Sequence, residues 1–137
     1  MSYSNPWLHN GNIIDSEVLD NYIGFVYLIV NMSSGKKYIG KKLLKFRRTK
    51  QIKGKKKKTT IESDWKDYYS SSIELIEDVN KIGKHNFKRE ILRLCKTKNE
   101  CNYWEAKLQF EYDVLLKPDE WYNGWIMVRV RRSKSLI

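Results

Sequence analysis

The sequence predicts a mixed α/β (α+β) fold: a small antiparallel three-stranded sheet flanked by helices. Three observations carry this prediction. β-branched and aromatic residues dominate a hairpin-like stretch from Gly24 to Gly40. Two Ser/Thr-x-x-Glu patterns, Ser71 to Glu74 and Thr97 to Glu100, mark helix starts. The stretch from Gly124 to Arg131 reads as a closing strand with a basic end.

Taken in order, residues 1–22 show no clear period, with Trp7, Leu8, Ile13 and Ile14 as anchors, and read as an extension packed loosely on the domain. Gly24 to Val30 is a strand, Asn31 to Gly35 supplies the turn, and Lys36 to Gly40 is its partner, so Tyr27 and Tyr38 lie on neighbouring strands. The segment from Thr49 to Glu62 has no apolar face and reads as a mobile loop that orders against phosphates. A helix then follows Ser71, with Ile73, Ile76 and Val79, flanked by Leu75 and Ile82, as its buried stripe and Gly83 as its stop. Phe87 to Leu94 is taken as a strand, and Thr97 opens a longer helix that ends near Leu116, ahead of Pro118. This gives an N-terminal extension (1–22), a main domain (23–132) with a basic loop (41–60), and a C-terminal tail (133–137).

Length and charge narrow the function. At 137 residues the chain suits one domain with decorations. No apolar run approaches the roughly 20 residues that span a bilayer, and Met1 to Pro6 is too polar for a secretory signal, so a cytoplasmic protein is expected. Cys95 and Cys101 have neither disulfide nor zinc spacing and read as small core residues. The net charge is +11, and its placement is uneven. Eleven of the 27 Lys and Arg fall between Lys41 and Lys58 with no acid among them, leaving sixteen basic against sixteen acidic residues elsewhere. A neutral body with one basic segment is the footprint of a polyanion binder, and without an apolar helix face the partner expected is nucleic acid rather than membrane.

Two features point to chemistry. On the helix after Thr97, Cys101, Glu105, Leu108 and Tyr112 share one stripe, so Glu105 interrupts an apolar face. A carboxylate there needs a cation, a donor or a metal: a lysine would satisfy it, and so would Mg²⁺, which takes one or two carboxylates and keeps several waters. Tyr27 and Tyr38 are the second feature. Either alone is an ordinary core tyrosine, but the pair stands directly before Lys41, Lys42, Arg47 and Arg48. A phenol is a poor base near neutrality unless such cations favour its anion or it merely orients a water. Trp65, Trp121 and Trp125 are core residues before they are base-stacking ones.

These residues resemble the GIY-YIG nuclease superfamily, with Gly24 to Ile29 (GFVYLI) as the first half of its signature and Lys37 to Lys42 (KYIGKK) as the second. The resemblance covers roughly Gly24 to Met127. It implies a DNA endonuclease that hydrolyses phosphodiester bonds with one divalent metal ion, Mg²⁺ or Mn²⁺. In that assignment Tyr27 is general base toward the attacking water, Tyr38 its partner at the phosphate, Glu105 the metal ligand and Asn123 the asparagine near the end. The family arginine, on a helix after the second motif, falls on Arg48, with Arg47 and Lys42 as alternatives for steadying the phosphate. Lys41, Arg47, Lys53, Lys55, Lys56, Lys57, Lys58, Arg129, Arg131 and Arg132 would track the DNA backbone. Departures are Phe25-Val26 before the tyrosine, and Ile52 where many members carry a histidine, a role that Tyr68, Tyr69 or His85 could take, with Tyr68 preferred. The blocks WKDYY and YWEAK, with the WYN and WIMVRVR ending, are similar to small stand-alone phage endonucleases of the homing type. That likeness implies the cytoplasm of an infected bacterial host. With no room for an appended DNA-binding domain, specificity falls to the loop and termini or to a homodimer. The rival reading is a non-catalytic nucleic-acid binder that keeps the fold.

Overall fold

A computed structural model describes residues 5–136, including all side chains except those at positions 47, 48, 50, 52, 57, 58 and 135. Arg47, Arg48, Lys57 and Lys58, singled out above, therefore have side chains outside the described residues.

The central hairpin forms where the sequence places it. Strand β3 (Gly24–Asn31) pairs antiparallel with β4 (Lys37–Leu43), and on its other side with β7 (Phe87–Cys95). The sheet has five strands rather than three, because residues expected to pack loosely add two more. Strand β1 (Leu8–His9) runs parallel beside β7, and β2 (Asn12–Ile13) folds back on it through Asn10 and Gly11, whose φ values of 53° and 83° suit a tight hairpin turn. The order across the sheet is β2-β1-β7-β3-β4, so β4 is an edge. The same N-terminal segment carries a short helix α1 (Ser16–Leu19) and sends Trp7, Ile14 and Leu19 into the core.

Alternation along β3 divides that core. Phe25, Tyr27 and Ile29 face a cluster with Trp7, Trp65, Leu75, Val79 and Phe87, whereas Val26 on the other face meets Ile39, Cys95, Cys101, Val114 and Trp121. Helix α2 (Ile73–Ile82) covers the first face and α3 (Lys98–Glu111) the second. Both cysteines are buried, as expected.

Several local expectations change. The cap of α2 is Ser72, whose Oγ accepts from Leu75 N–H, and the neighbouring Ser71 instead faces Tyr38. The buried side of α2 is Leu75 and Val79, and Ile73 is 78% exposed. Helix α3 opens on Thr97, whose Oγ1 accepts from Glu100 N–H, but stops at Glu111 rather than near Leu116. The basic stretch is no loop, and no helix follows β4: β5 (Lys45–Ile52) and β6 (Lys55–Glu62) form a separate two-stranded arm around Lys53 and Gly54, with φ of 52° and 76°. Arg48 thus lies on a strand opposite Thr59. Residues Gly124 to Arg131 join no sheet; side chains of α3 hold them instead: Asn102 Nδ2 donates to the Arg129 carbonyl, and Asn99 both donates to the Arg131 carbonyl and accepts from its N–H. No helix among the described residues is long and apolar enough to cross a membrane.

Candidate active site

An edge strand exposes unpaired backbone groups, and the covering of β4 builds the site. Lys37 N–H donates to the Glu120 carbonyl and Ile39 N–H to Asn123 Oδ1, while the Lys41 backbone faces the Glu105 carboxylate and favours its charged form. Alternate edge groups are therefore closed first by backbone and then by an amide, and the third faces the carboxylate of α3. Asn123 also donates from Nδ2 to the Ile39 carbonyl at 2.8 Å, so both ends of its amide are committed to β4, which it braces. The adjoining Tyr122 donates to Asp78 Oδ2 and accepts from Asn31.

Gly40 lies directly opposite Tyr27, and the ring of Tyr27 crosses it. A Cβ at this position would stand 2.5 Å from the Tyr27 hydroxyl, 2.7 Å from its Cζ and 2.8 Å from Tyr38 Cε1. Glycine is needed here for space, since it lets the Tyr27 hydroxyl of one face approach the sheet edge where Glu105 arrives from the other. Gly40→Ala is accordingly expected to displace both rings and cost about 1–3 kcal/mol by overpacking, read as a lower urea midpoint. A further device lies on β7, where the register shifts between the partners of Val26 and Tyr27 and Leu92 is the extra residue. Such a bulge re-aims the strand beside the site.

Around this edge lies a cavity of about 200 Å³. Tyr27, Tyr38 and Ser71 line it from one side, Lys41, Glu105 and Gln109 from the other, and Trp125 and Met127 from the C-terminal segment. Lys41 Nζ stands 4.0 Å from Glu105 Oε1 and also reaches Asn102. Burial holds the Glu105 carboxyl above the ordinary carboxylate range, partly offset by Lys41. The Tyr27 phenol is pushed well above its ordinary range by burial, then by Tyr68 and Tyr38. Tyr38, half-buried, is raised by burial too, and its hydroxyl is 3.5 Å from Ser71 Oγ.

The two lysines of the second motif part company. Lys41 faces Glu105, whereas Lys42, the sequence's alternative phosphate residue, turns to the opposite face, 2.6 Å from Asp64 Oδ1 and 4.0 Å from the centre of the Tyr68 ring. The hydrogen bond it donates, and secondarily its charge, hold the Asp64 carboxyl below the usual range. Tyr68 packs edge-on against Tyr27 at 5.9 Å, while the Tyr69 hydroxyl accepts from Asn5 and His85 sits in the turn before β7. Arg89, buried on β7, fixes Tyr68 by donating to its carbonyl at 2.9 Å. Trp65 and Trp121 are core residues, but Trp125 is 69% exposed at the cavity rim. The sequence marks Lys41 as one of the cations after the tyrosine pair and as a DNA-tracking residue, not as the partner of Glu105, and Gln109 carries no signal there beyond its spacing of four from Glu105. Lys53, Lys55 and Lys56 are exposed on the arm, and Arg129, Arg131 and Arg132 on the terminal segment. A larger cavity of about 540 Å³ lies at the arm's base, lined by Lys45, Lys96 and Lys98 without any carboxylate, so it lacks the groups for hydrolysis.

Residues 7–126 match the family model SegE_GIY-YIG, described as "Putative endonuclease segE, GIY-YIG domain". The match spans most of the chain, which therefore belongs to the GIY-YIG endonuclease family. No curated protein and no solved structure matches it.

Proposed function

We propose that this chain hydrolyses phosphodiester bonds in DNA with a single divalent metal ion, Mg²⁺ or Mn²⁺, held at Glu105. The observation that carries the reading is the convergence of Tyr27, Tyr38, Lys41 and Glu105 on one cavity at the edge of β4, in a chain of an endonuclease family.

The donor set fits such an ion. Glu105 is a hard oxygen ligand, 16% exposed, whose carboxyl is raised because Lys41 at 4.0 Å does not fully offset its burial. A second cation beside it suits that imbalance. Among the described residues no three His, Cys, Asp or Glu side chains gather, so the ion would rest on one carboxylate and complete its shell with water and phosphate oxygens, as Mg²⁺ commonly does. When bound, it supplies Lewis-acid stabilisation of charge on the phosphate and the leaving oxygen.

The remaining work falls to the chain. Tyr27 is held as a neutral phenol by its surroundings, so it serves by orienting the attacking water rather than by storing a phenolate. Lys41 places a positive charge beside the phosphate site, and Tyr38 with Ser71 forms the opposite wall. Arg48, a residue of β5, is proposed as a further cation for the phosphate. Trp125, exposed at the rim, offers a face on which a base can stack.

The arm would follow the DNA backbone. Replacing Lys55, Lys56, Lys57 and Lys58 with glutamine is expected to reduce the slope of log affinity against log salt by up to about four, at close to 0.9 for each phosphate no longer neutralised. An unchanged slope would show that the arm does not touch DNA. A homing-type enzyme acting in the cytoplasm of an infected bacterium is the biological setting we propose, on the resemblance of the WKDYY and YWEAK blocks. Nicking of supercoiled plasmid that requires Mg²⁺ and stops with EDTA tests the activity itself; DNA binding without cleavage in any divalent metal would favour the non-catalytic alternative.

A further inference from the structure

Gln109 lies one helical turn beyond Glu105 on α3 and lines the same cavity, with only 4% of its surface exposed. Its amide has a definite orientation, because Nε2 donates to the Ile39 carbonyl at 2.9 Å. That leaves Oε1 as a buried oxygen with no hydrogen-bond partner among the described residues. Buried polar atoms in folded proteins are rarely left so, since the lost hydration is not repaid.

The Nε2 bond does not account for the residue. The Ile39 carbonyl already accepts from Asn123 Nδ2 at 2.8 Å, so a methionine or leucine at 109 would leave it satisfied and would strand no oxygen. The presence of glutamine is explained by a donor that Oε1 meets in the working state. Water held by a hard cation is such a donor, because its hydrogens need acceptors on the surrounding protein. Few lining groups can accept: Lys41 has donors only, and the Tyr38 hydroxyl is next to Ser71.

We infer that Gln109 Oε1 accepts from the hydration shell of the divalent ion at Glu105, and so acts as a positioning residue that fixes how the ion sits in the cavity. The inference rests on the one-ion reading given above. It predicts that Gln109→Met weakens metal binding about 10- to 100-fold, the usual loss when an outer partner of a metal site is removed, while the melting temperature of the metal-free protein stays level or rises.

The experiment is titration of Mn²⁺ into the full chain, followed by electron paramagnetic resonance of the free ion, for wild type, Glu105→Gln, Gln109→Met and Gln109→Leu, with circular-dichroism melts of each. The expected result is weak binding by Glu105→Gln and by both Gln109 variants, all of them folded. Wild-type affinity in a folded Gln109 variant, beside lost binding in Glu105→Gln, overturns this inference and leaves the one-ion reading standing. Mn²⁺ binding unaffected by Glu105→Gln overturns both. A lowered melting temperature with unchanged affinity would make Gln109 a packing residue only and equally overturns the inference.

Discussion

Glu105→Gln is expected to remove cleavage, by about 10²–10³-fold or more, and in the same protein to raise the melting temperature of the metal-free state. The two effects share one cause. Burial lifts the Glu105 carboxyl above its ordinary range, with Lys41 only partly countering it. A group whose folded pKa is raised contributes stability that is complete below its unfolded pKa and is lost as pH rises through the folded one. Near neutrality, therefore, the charged carboxylate burdens the fold, and glutamine, uncharged and of the same shape, relieves it. The advantage of the variant should shrink as the solution is acidified and vanish below the ordinary carboxylate range. If the proposed metal site holds, metal binding and cleavage by the wild type are expected to run the other way, failing as pH drops through the raised Glu105 pKa because the proposed ligand becomes protonated. A variant that lost both cleavage and stability at neutral pH would mean that Glu105 is a structural ion-pair partner of Lys41.

Trp7→Ala carries the second large effect, a loss of about 3–5 kcal/mol, or on the order of 10–20 °C in melting temperature for a domain of this size. Trp7 is fully buried, its ring meeting Phe25 at 4.8 Å and Tyr27 at 5.3 Å edge-on, with the Arg89 guanidinium 4.6 Å from its centre. Its Nε1 donates to the Trp65 carbonyl at 2.7 Å. The residue therefore supports the back of the Tyr27 ring and, through Arg89, the strand that aims Tyr68. Trp7→Phe should recover much of the stability but not the hydrogen bond. Chemical denaturation of the three proteins decides it, and a loss below about 1 kcal/mol for Trp7→Ala would show that the N-terminal segment does not hold the core.

That segment is also where sequence and structure differ most instructively. Asn10-Gly11 is a strong hairpin signal, but each flanking strand is only two residues long, too short for alternation to show. The parallel pairing of Leu8 with Glu90 joins residues far apart in the chain and has no local signature. The arm is hidden for a different reason. Its described side chains are mostly exposed, so no apolar period marks its strands, and Lys53-Gly54 within a lysine run looks like a loop. On α2, adjacent serines offer two caps, and the choice depends on tertiary contact, since Ser71 is drawn toward Tyr38.

The site is legible where backbone pattern and unusual chemistry coincide. Tyr27 and Tyr38 follow from the hairpin, and Glu105 from a charge in an apolar stripe. Lys41 and Lys42 are indistinguishable in a basic run, yet alternation on β4 sends them to opposite faces and only Lys41 meets Glu105. Gln109 needs the structure, because an orphaned oxygen is a property of surroundings and not of residue type. Asn123 is found by resemblance, and its position explains its use: it holds β4 by the Ile39 backbone rather than lining the cavity.

If one carboxylate at the edge of β4 makes this fold a metal-dependent nuclease, cleavage must depend on both that carboxylate and the ion. Single-turnover cleavage of supercoiled plasmid, with Mg²⁺ and with EDTA, by wild type and Glu105→Gln at matched DNA occupancy examines both at once. Nicking is expected from the wild type in Mg²⁺ alone, and none from Glu105→Gln although it binds the plasmid equally well. Cleavage by Glu105→Gln at the wild-type rate, or by the wild type in EDTA, would refute the single-carboxylate, single-metal site.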